Sequence, residues 1–273
     1  MVSVAWATDK GIQRETNQDA CCVQVAETAM GEVSMAVMCD GVGGLYRGEV
    51  ASSSVVRRFA SWFRTDFPRL VRGMVDGFDP AMVRESWTSL IAVANDELRV
   101  AARSEGTMMG TTLTGLIACE GTYLVAHVGD CRLYRIGRAD GTCLTKDQTL
   151  VARLLEEGAI EPKDVATHPG RNVILQAVGV TERLAPVFSE GSYAEGDLFV
   201  LASDGAYGDM SGEDMRRVFD KVDRADEREL QKVCYALLGA RMSEGATDNL
   251  SVACVCPNVG VRASGNTIVV GLA

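Results

Sequence analysis

The amino-acid sequence predicts an α+β protein in which strands and helices come in separate groups. Apolar runs of strand length follow one another across tight turns, which favours antiparallel hairpins. Longer segments with apolar residues at helical spacing fall between them in pairs, which argues against a regular βαβ repeat. In addition, four carboxylates (Asp19, Asp40, Asp204 and Asp248) each stand in a turn next to an apolar run. A strand fixes where its terminal side chain sits, so these acids could be gathered at one end of a sheet.

Strands are expected at residues 2–7, 20–26, 33–39, 112–118, 123–128, 132–136, 198–203 and 250–256, where apolar and β-branched residues concentrate. The turn Cys119-Glu120-Gly121-Thr122 joins two of them as a hairpin. A helix is expected from Gly48 to about Phe63, with Val55, Val56, Phe59 and Phe63 inward. Asp79-Pro80 reads as an N-cap followed by proline at the first helical position. Beyond it Val83, Trp87, Leu90, Ile91, Ala94, Leu98 and Ala101 share a face. Ser211-x-x-Asp214 resembles a capping box, and Leu230, Val233, Cys234, Leu237, Leu238 and Arg241 continue a last helical pattern. Residues 147–181 differ: a short helix around Leu150 to Leu155, then Gly158, Pro162 and His168-Pro169-Gly170 interrupt the strand run, as a small flap insertion would. Residues 257–273 form an appended tail whose residues 267–270 could add an edge strand to the catalytic unit of residues 1–256.

Bulk properties narrow the function. The chain of 273 residues has 47% hydrophobic residues, enough for a sizeable core in one large domain or two small ones. A formal charge of −10 with no basic cluster excludes nucleic acid as the expected partner. No apolar stretch is long enough for a transmembrane helix, and residues 1–11 lack a secretory pattern, so a cytoplasmic location is expected. The nine cysteines are an odd number without CxxC spacing, so buried reduced thiols are expected rather than a disulfide framework or a thiolate zinc site.

Each acidic turn alone reads equally as an ordinary Asp-Gly or Asp-Asn turn. Together, Asp40-Gly41, Asp204-Gly205 and Asp248-Asn249 suggest an oxygen-rich site for hard divalent cations. Such a site can generate hydroxide at neutral pH and clamp a phosphoryl group. Arg14 is either a surface salt-bridge partner or a bidentate phosphate clamp. Gly129-Asp130 is either a hairpin turn or part of the same site. His127 alternates within an apolar strand, as a packed core histidine does. His168 makes either a local loop contact or a substrate-side one.

Thr8-Asp9-Lys10-Gly11-x-x-Arg14-x-x-Asn17-Gln18-Asp19, Asp40-Gly41-Val42-Gly43-Gly44, Gly110-Thr111-Thr112, the stretch from Ala126 to Tyr134, that from Asp197 to Gly205, and Asp248-Asn249-x-Ser251 occur in this order. The chain thereby resembles the metal-dependent serine/threonine protein phosphatases of type 2C in their compact bacterial form, over roughly residues 3–256. The resemblance implies a four-layer αββα sandwich, with two central antiparallel sheets flanked by helices. It implies that Asp40 bridges two Mn2+ or Mg2+ ions, that Gly41 offers its carbonyl to the second, and that Asp204 and Asp248 complete the first. Asp19 would hold water on a metal, Arg14 would bind the substrate phosphate, and Asp130 would serve a third, weaker ion. Phosphorylated proteins are the implied partners, with a Ser/Thr kinase acting in opposition; a monomer is expected.

Two positions depart from the family pattern. Val42 stands where eukaryotic members often carry a histidine acid, which leaves water as the alternative proton source. Cys131 replaces the usual serine, with little effect expected. The competing readings are a catalytically weak phosphoprotein-binding module of the same fold and a phosphatase serving an anti-sigma-type regulatory switch. Every metal carboxylate being present favours the enzyme.

Overall fold

The computed structural model describes residues 2–259 and 268–272. Its strands are β1 (Ser3–Asp9), β2 (Asp19–Thr28), β3 (Gly31–Asp40), β4 (Leu113–Cys119), β5 (Thr122–Val128), β6 (Arg132–Ile136), β7 (Gly141–Cys143), β8 (Val187–Ser192), β9 (Leu198–Ala202), β10 (Leu250–Cys256) and β11 (Ile268–Leu272). The helices are α1 (Gly48–Thr65), α2 (Phe67–Val71), α3 (Pro80–Ser104), α4 (Leu150–Glu156), α5 (Asp204–Tyr207), α6 (Gly212–Val218) and α7 (Glu227–Ser243), with a 3-10 turn at Pro162–Thr167.

The strands form two antiparallel sheets, one of five in the order β1-β10-β9-β6-β7 and one of six in the order β11-β2-β3-β4-β5-β8. Three apolar layers hold them. Phe59, Trp62, Trp87 and Ile91 of α1 and α3 pack on the six-stranded sheet, with the Phe59 and Trp87 rings edge to face at 5.2 Å. Met38, Leu116, Leu133 and Phe199 fill the space between the sheets. Tyr134, Val252, Phe219 and Leu230 join α6 and α7 to the five-stranded sheet. Burying a large apolar side chain contributes about 1.5–3 kcal/mol, so these layers are the main source of cohesion. The αββα sandwich implied by the sequence is therefore present.

Local chemistry explains the element boundaries. Glu120 (φ 48°) and Gly121 (φ 76°) make the two-residue turn of the β4–β5 hairpin, in which Cys119 pairs with Thr122. The Asp79 side chain caps α3 by accepting from the Ala81 amide. Ser211 and Asp214 form the expected capping box at α6.

Some expectations shift. On α3, Ala101 is exposed, and Ala102 and Asn95 turn inward instead. Asn95 earns its burial through hydrogen bonds to the Thr181 carbonyl (3.0 Å) and from the Gly179 amide (2.7 Å). The tail does add an edge strand, β11 on β2, although Thr267 lies outside the described residues. Seven cysteines are buried, Cys143 and Cys256 are half-buried, and all nine are free thiols. His127 is a core histidine, between the Thr114 hydroxyl (3.0 Å) and the Lys146 carbonyl (3.1 Å).

Candidate active site

The antiparallel registers bring the acids to one end of the sandwich. Asp19 begins β2 and Asp40 ends β3, directly opposite each other. Asp130 sits in the turn between β5 and β6, Asp204 follows β9, and Asp248 precedes β10. Arg132 at the start of β6 lies opposite Ala202 at the end of β9, which brings the turns carrying Asp130 and Asp204 together.

Asp40 is pinned through its backbone. Its amide donates to the Thr112 hydroxyl (2.8 Å), and its carbonyl accepts from the Thr112 amide and the Thr111 hydroxyl, each at 2.8 Å. Next to it, Gly41 passes so close to the start of α1 that a Cβ would lie 2.6 Å from the Gly48 carbonyl oxygen. Asp19 is buried and accepts from the Ser203 hydroxyl at 2.9 Å. Asp248 accepts from Arg14 Nη2 at 2.7 Å, so Arg14 makes a salt bridge, and it does so to one of the clustered acids. Asn249 fixes the Arg14 loop: its side chain donates to the Lys10 and Thr16 carbonyls and accepts from the Gln18 amide (2.9 Å).

A cavity of about 700 Å³ opens over this end, lined by Arg14, Asp40, Gly41, Asp130, Asp204 and Asp248 among others. Asp19 is not among the lining residues but stands opposite Asp40 on the neighbouring strand. His168 is not brought to the cavity. Its Nδ1 accepts from the Gly170 amide at 3.0 Å, the local loop contact, and Val165, Arg171, Asn172 and Ile174 of the same segment line the cavity in its place. A substrate-side role for His168 therefore has no support in this geometry.

Electrostatics make the acids costly to ionise together. Burial, and then the charges of Asp19, Asp204, Asp130 and Asp248, push the Asp40 carboxyl well above its ordinary range. Burial foremost raises Asp19 to about 6, against the hydrogen bonds from Ser251 and Ser203. Burial and Asp248 raise Asp204 to about 7. Burial and Asp204 raise Asp130 to about 8. Among the described residues Asp19 Oδ1 and Asp204 Oδ1 are buried with no hydrogen-bond partner. No group of three or more described His, Cys, Asp and Glu side chains already converges as a ligand cluster. The hard oxygen donors, their mutual repulsion and the two orphaned buried atoms nevertheless fit divalent cations, which would satisfy both the charge and the lone pairs.

A second set of residues on the cavity wall escaped the sequence reading. Arg132 grips Asp147 with Nε at 2.9 Å and Nη2 at 2.8 Å, and its guanidinium stacks 4.1 Å from the Tyr207 ring centroid. The Tyr207 hydroxyl donates to the Asp130 carbonyl at 2.9 Å. In the sequence, only an arginine alternating with Leu133 and Tyr134 hinted at this arrangement.

An antiparallel αββα sandwich with clustered aspartates and an arginine at one end defines a class of metal-assisted hydrolases acting on phosphate esters. Comparison with known proteins narrows this: the family model described as protein phosphatase 2C matches residues 11–235, and the chain belongs to that family. It is 28% identical over 260 residues to protein phosphatase PhpP of Streptococcus pneumoniae serotype 2, covering 94% of this chain and 98% of the relative. It is 28% identical over 245 residues to the serine/threonine phosphatase stp of Listeria monocytogenes, covering 90% and 92%. The crystal structure of serine/threonine phosphatase Stp1 from Staphylococcus aureus superposes with a TM-score of 0.81 at 25% identity, covering 94% and 96%. The catalytic domain of PstP in complex with two manganese ions does so with a TM-score of 0.72 at 24% identity, covering 94% and 99%. The chain is a protein-serine/threonine phosphatase.

Proposed function

We propose that the cavity is the hydrolytic centre, that Asp40, the Gly41 carbonyl, Asp204 and Asp248 hold two divalent ions with Asp19 as an outer support, and that Asp130 serves a third, weaker one. The observation carrying this reading is that Asp40, Asp130, Asp204 and Asp248, from separate chain segments, line a single cavity, with Asp19 opposite Asp40 on the neighbouring strand; burial and neighbouring carboxylates raise the pKa of Asp19, Asp40, Asp130 and Asp204. Divalent ions held by these residues would polarise water and neutralise phosphoryl oxygens. Manganese is the first candidate, since a structural neighbour is described with two manganese ions, and magnesium the alternative.

The chain's own residues do the rest. Arg14 reaches the cavity through a guanidinium that Asp248 orients through Nη2, which leaves the other face of its fork to take phosphoryl oxygens. The Thr111 and Thr112 bonds hold Asp40 still while charge builds beside it. Water is the proposed proton source for the departing seryl or threonyl oxygen, with Val42 on the cavity wall at the position where eukaryotic members often carry a histidine. Residues 147–181 act as a flap on one wall of the catalytic unit, residues 1–256. The enzyme works as a monomer in the cytoplasm, in opposition to a Ser/Thr kinase.

The test is phosphate release from a phosphothreonine peptide with Mn2+ and then with EDTA. Activity only with metal, lost in Asp204→Ala, is expected. Metal-independent release would overturn the metal-based centre, and no release by folded, metal-loaded protein would overturn the catalytic reading.

A further inference from the structure

Beside the cavity lies an exposed apolar surface that the catalytic reading does not use. Tyr46, Met108 and Val180 are 43%, 56% and 38% exposed, far more than large apolar side chains with a packing role. They come from three distant segments and converge around Gly110. The Tyr46 amide donates to the Met108 carbonyl at 3.0 Å. Val180 packs so close to Gly110 that a Cβ there would lie 2.5 Å from Val180 Cγ2. Gly110 in turn accepts from the Val42 amide at 2.9 Å, and Val42 and Gly43 line the cavity. The apolar surface thus adjoins, through Gly110, the part of the cavity wall formed by Val42 and Gly43.

The adjoining residue is conformationally unusual. Arg47 precedes α1 in the left-handed region (φ 53°, ψ 52°) without capping the helix through its side chain. Outside glycine such backbone is uncommon, and where it persists it often marks a functional position. It presents an exposed guanidinium 5.7 Å from the Tyr46 ring centroid.

We infer that Tyr46, Met108 and Val180, with Arg47 at their edge, form a docking surface for the substrate polypeptide flanking the phosphorylated residue. The occupant is a segment with an apolar side chain for the Tyr46–Met108–Val180 surface and an acidic one for Arg47. Adjacency to the cavity and charge complementarity at Arg47 favour this occupant over a second copy of the chain. The inference rests on the cavity being the hydrolytic centre.

The test compares the native enzyme with a Tyr46→Ala/Met108→Ala double variant, both loaded with Mn2+. The substrates are p-nitrophenyl phosphate and a phosphothreonine peptide series with leucine at each flanking position in turn against an alanine background. The expected result is one or two leucine positions that lower KM for the native enzyme. In the double variant that advantage should fall by about tenfold, with kcat preserved and p-nitrophenyl phosphate kinetics unchanged. Equal loss on every substrate would make these residues structural and overturn the inference. So would leucine having no effect in the native enzyme, or a native dimer that the variant converts to monomer in sedimentation. Failure of the native enzyme on p-nitrophenyl phosphate and peptides alike would refute the hydrolytic centre itself, a different outcome from failure on leucine preference alone.

Discussion

Replacing Ser203 by alanine tests whether Asp19 is held ready for cation binding. The Ser203 hydroxyl makes two bonds at a fully buried position: it donates to Asp19 Oδ2 and accepts from the Ser251 amide, each at 2.9 Å. Deleting it strands the amide, at about 1–3 kcal/mol, and removes a bond to a carboxylate contributing about 1.5–3 kcal/mol. Allowing for relaxation, a net loss near 3 kcal/mol is expected, or about 6–12 °C in melting temperature for a chain of this size. A looser Asp19 should weaken Mn2+ binding about tenfold, equivalent to about 1.4 kcal/mol. Thermal denaturation of metal-free protein and calorimetric Mn2+ titration read the two effects separately. Ser34→Ala is the control, because the Ser34 hydroxyl is buried with no hydrogen-bond partner among the described residues, so its removal should be neutral or slightly stabilising. A Ser203→Ala protein with lowered melting temperature and native Mn2+ affinity would refute the argument, leaving Ser203 a structural residue only.

Three further perturbations probe other parts of the molecule. Gly205→Ala should abolish Mn2+ binding or folding, since a Cβ there would overlap the Asn249 carbonyl oxygen, which is backbone; normal binding by titration would contradict that packing. Tyr207→Phe removes the donor to the Asp130 carbonyl while keeping the ring under Arg132, so a loss of about 1 kcal/mol in denaturant unfolding is expected, and no change would show that the bond contributes nothing. Burial lowers the His127 pKa, so the folded protein keeps a neutral imidazole while the unfolded chain takes up a proton as pH falls below about 6.5; that residue's contribution is full above this range and is lost on acidification, by up to about 1.4 kcal/mol per pH unit. Relative to His127→Gln, the native protein should therefore lose stability more steeply between neutral and mildly acidic pH, and parallel curves would refute the assignment.

The long, periodic elements were legible in the sequence because one face of each is buried. α1 shows this in Val55, Val56, Phe59 and Phe63, all of which point inward. β8 was not legible: as an edge strand with both faces partly wet, Val187 to Ser192 carries no clean alternation. β7, α2 and α5 are too short for any period to register. Within the site, the acids could be read because aspartate beside glycine or asparagine at the end of an apolar run is a local signal. The supports of those acids could not. Nothing local to Asn249 says that it clasps Lys10 and Thr16, and nothing local to Arg132 says that it closes on Asp147. For His168 the sequence left a local loop contact and a substrate-side role both open, and its Nδ1 makes the local contact, to the Gly170 amide.

The pairing of β1 with β10 has a consequence for biosynthesis. Ser3 lies opposite Cys256 and Asp9 opposite Leu250, so the segment bearing Arg14 receives its neighbours only when residues 250–256 have left the ribosome. Closure over so great a sequence separation is slow. Until then the nascent polypeptide holds Asp19 and Asp40 without Asp204 and Asp248, an incomplete set of the carboxylates proposed to hold the metal ions. Assembly of the candidate site is thereby tied to synthesis through β10, and a ribosome stalled before codon 248 would release a chain without the complete carboxylate set.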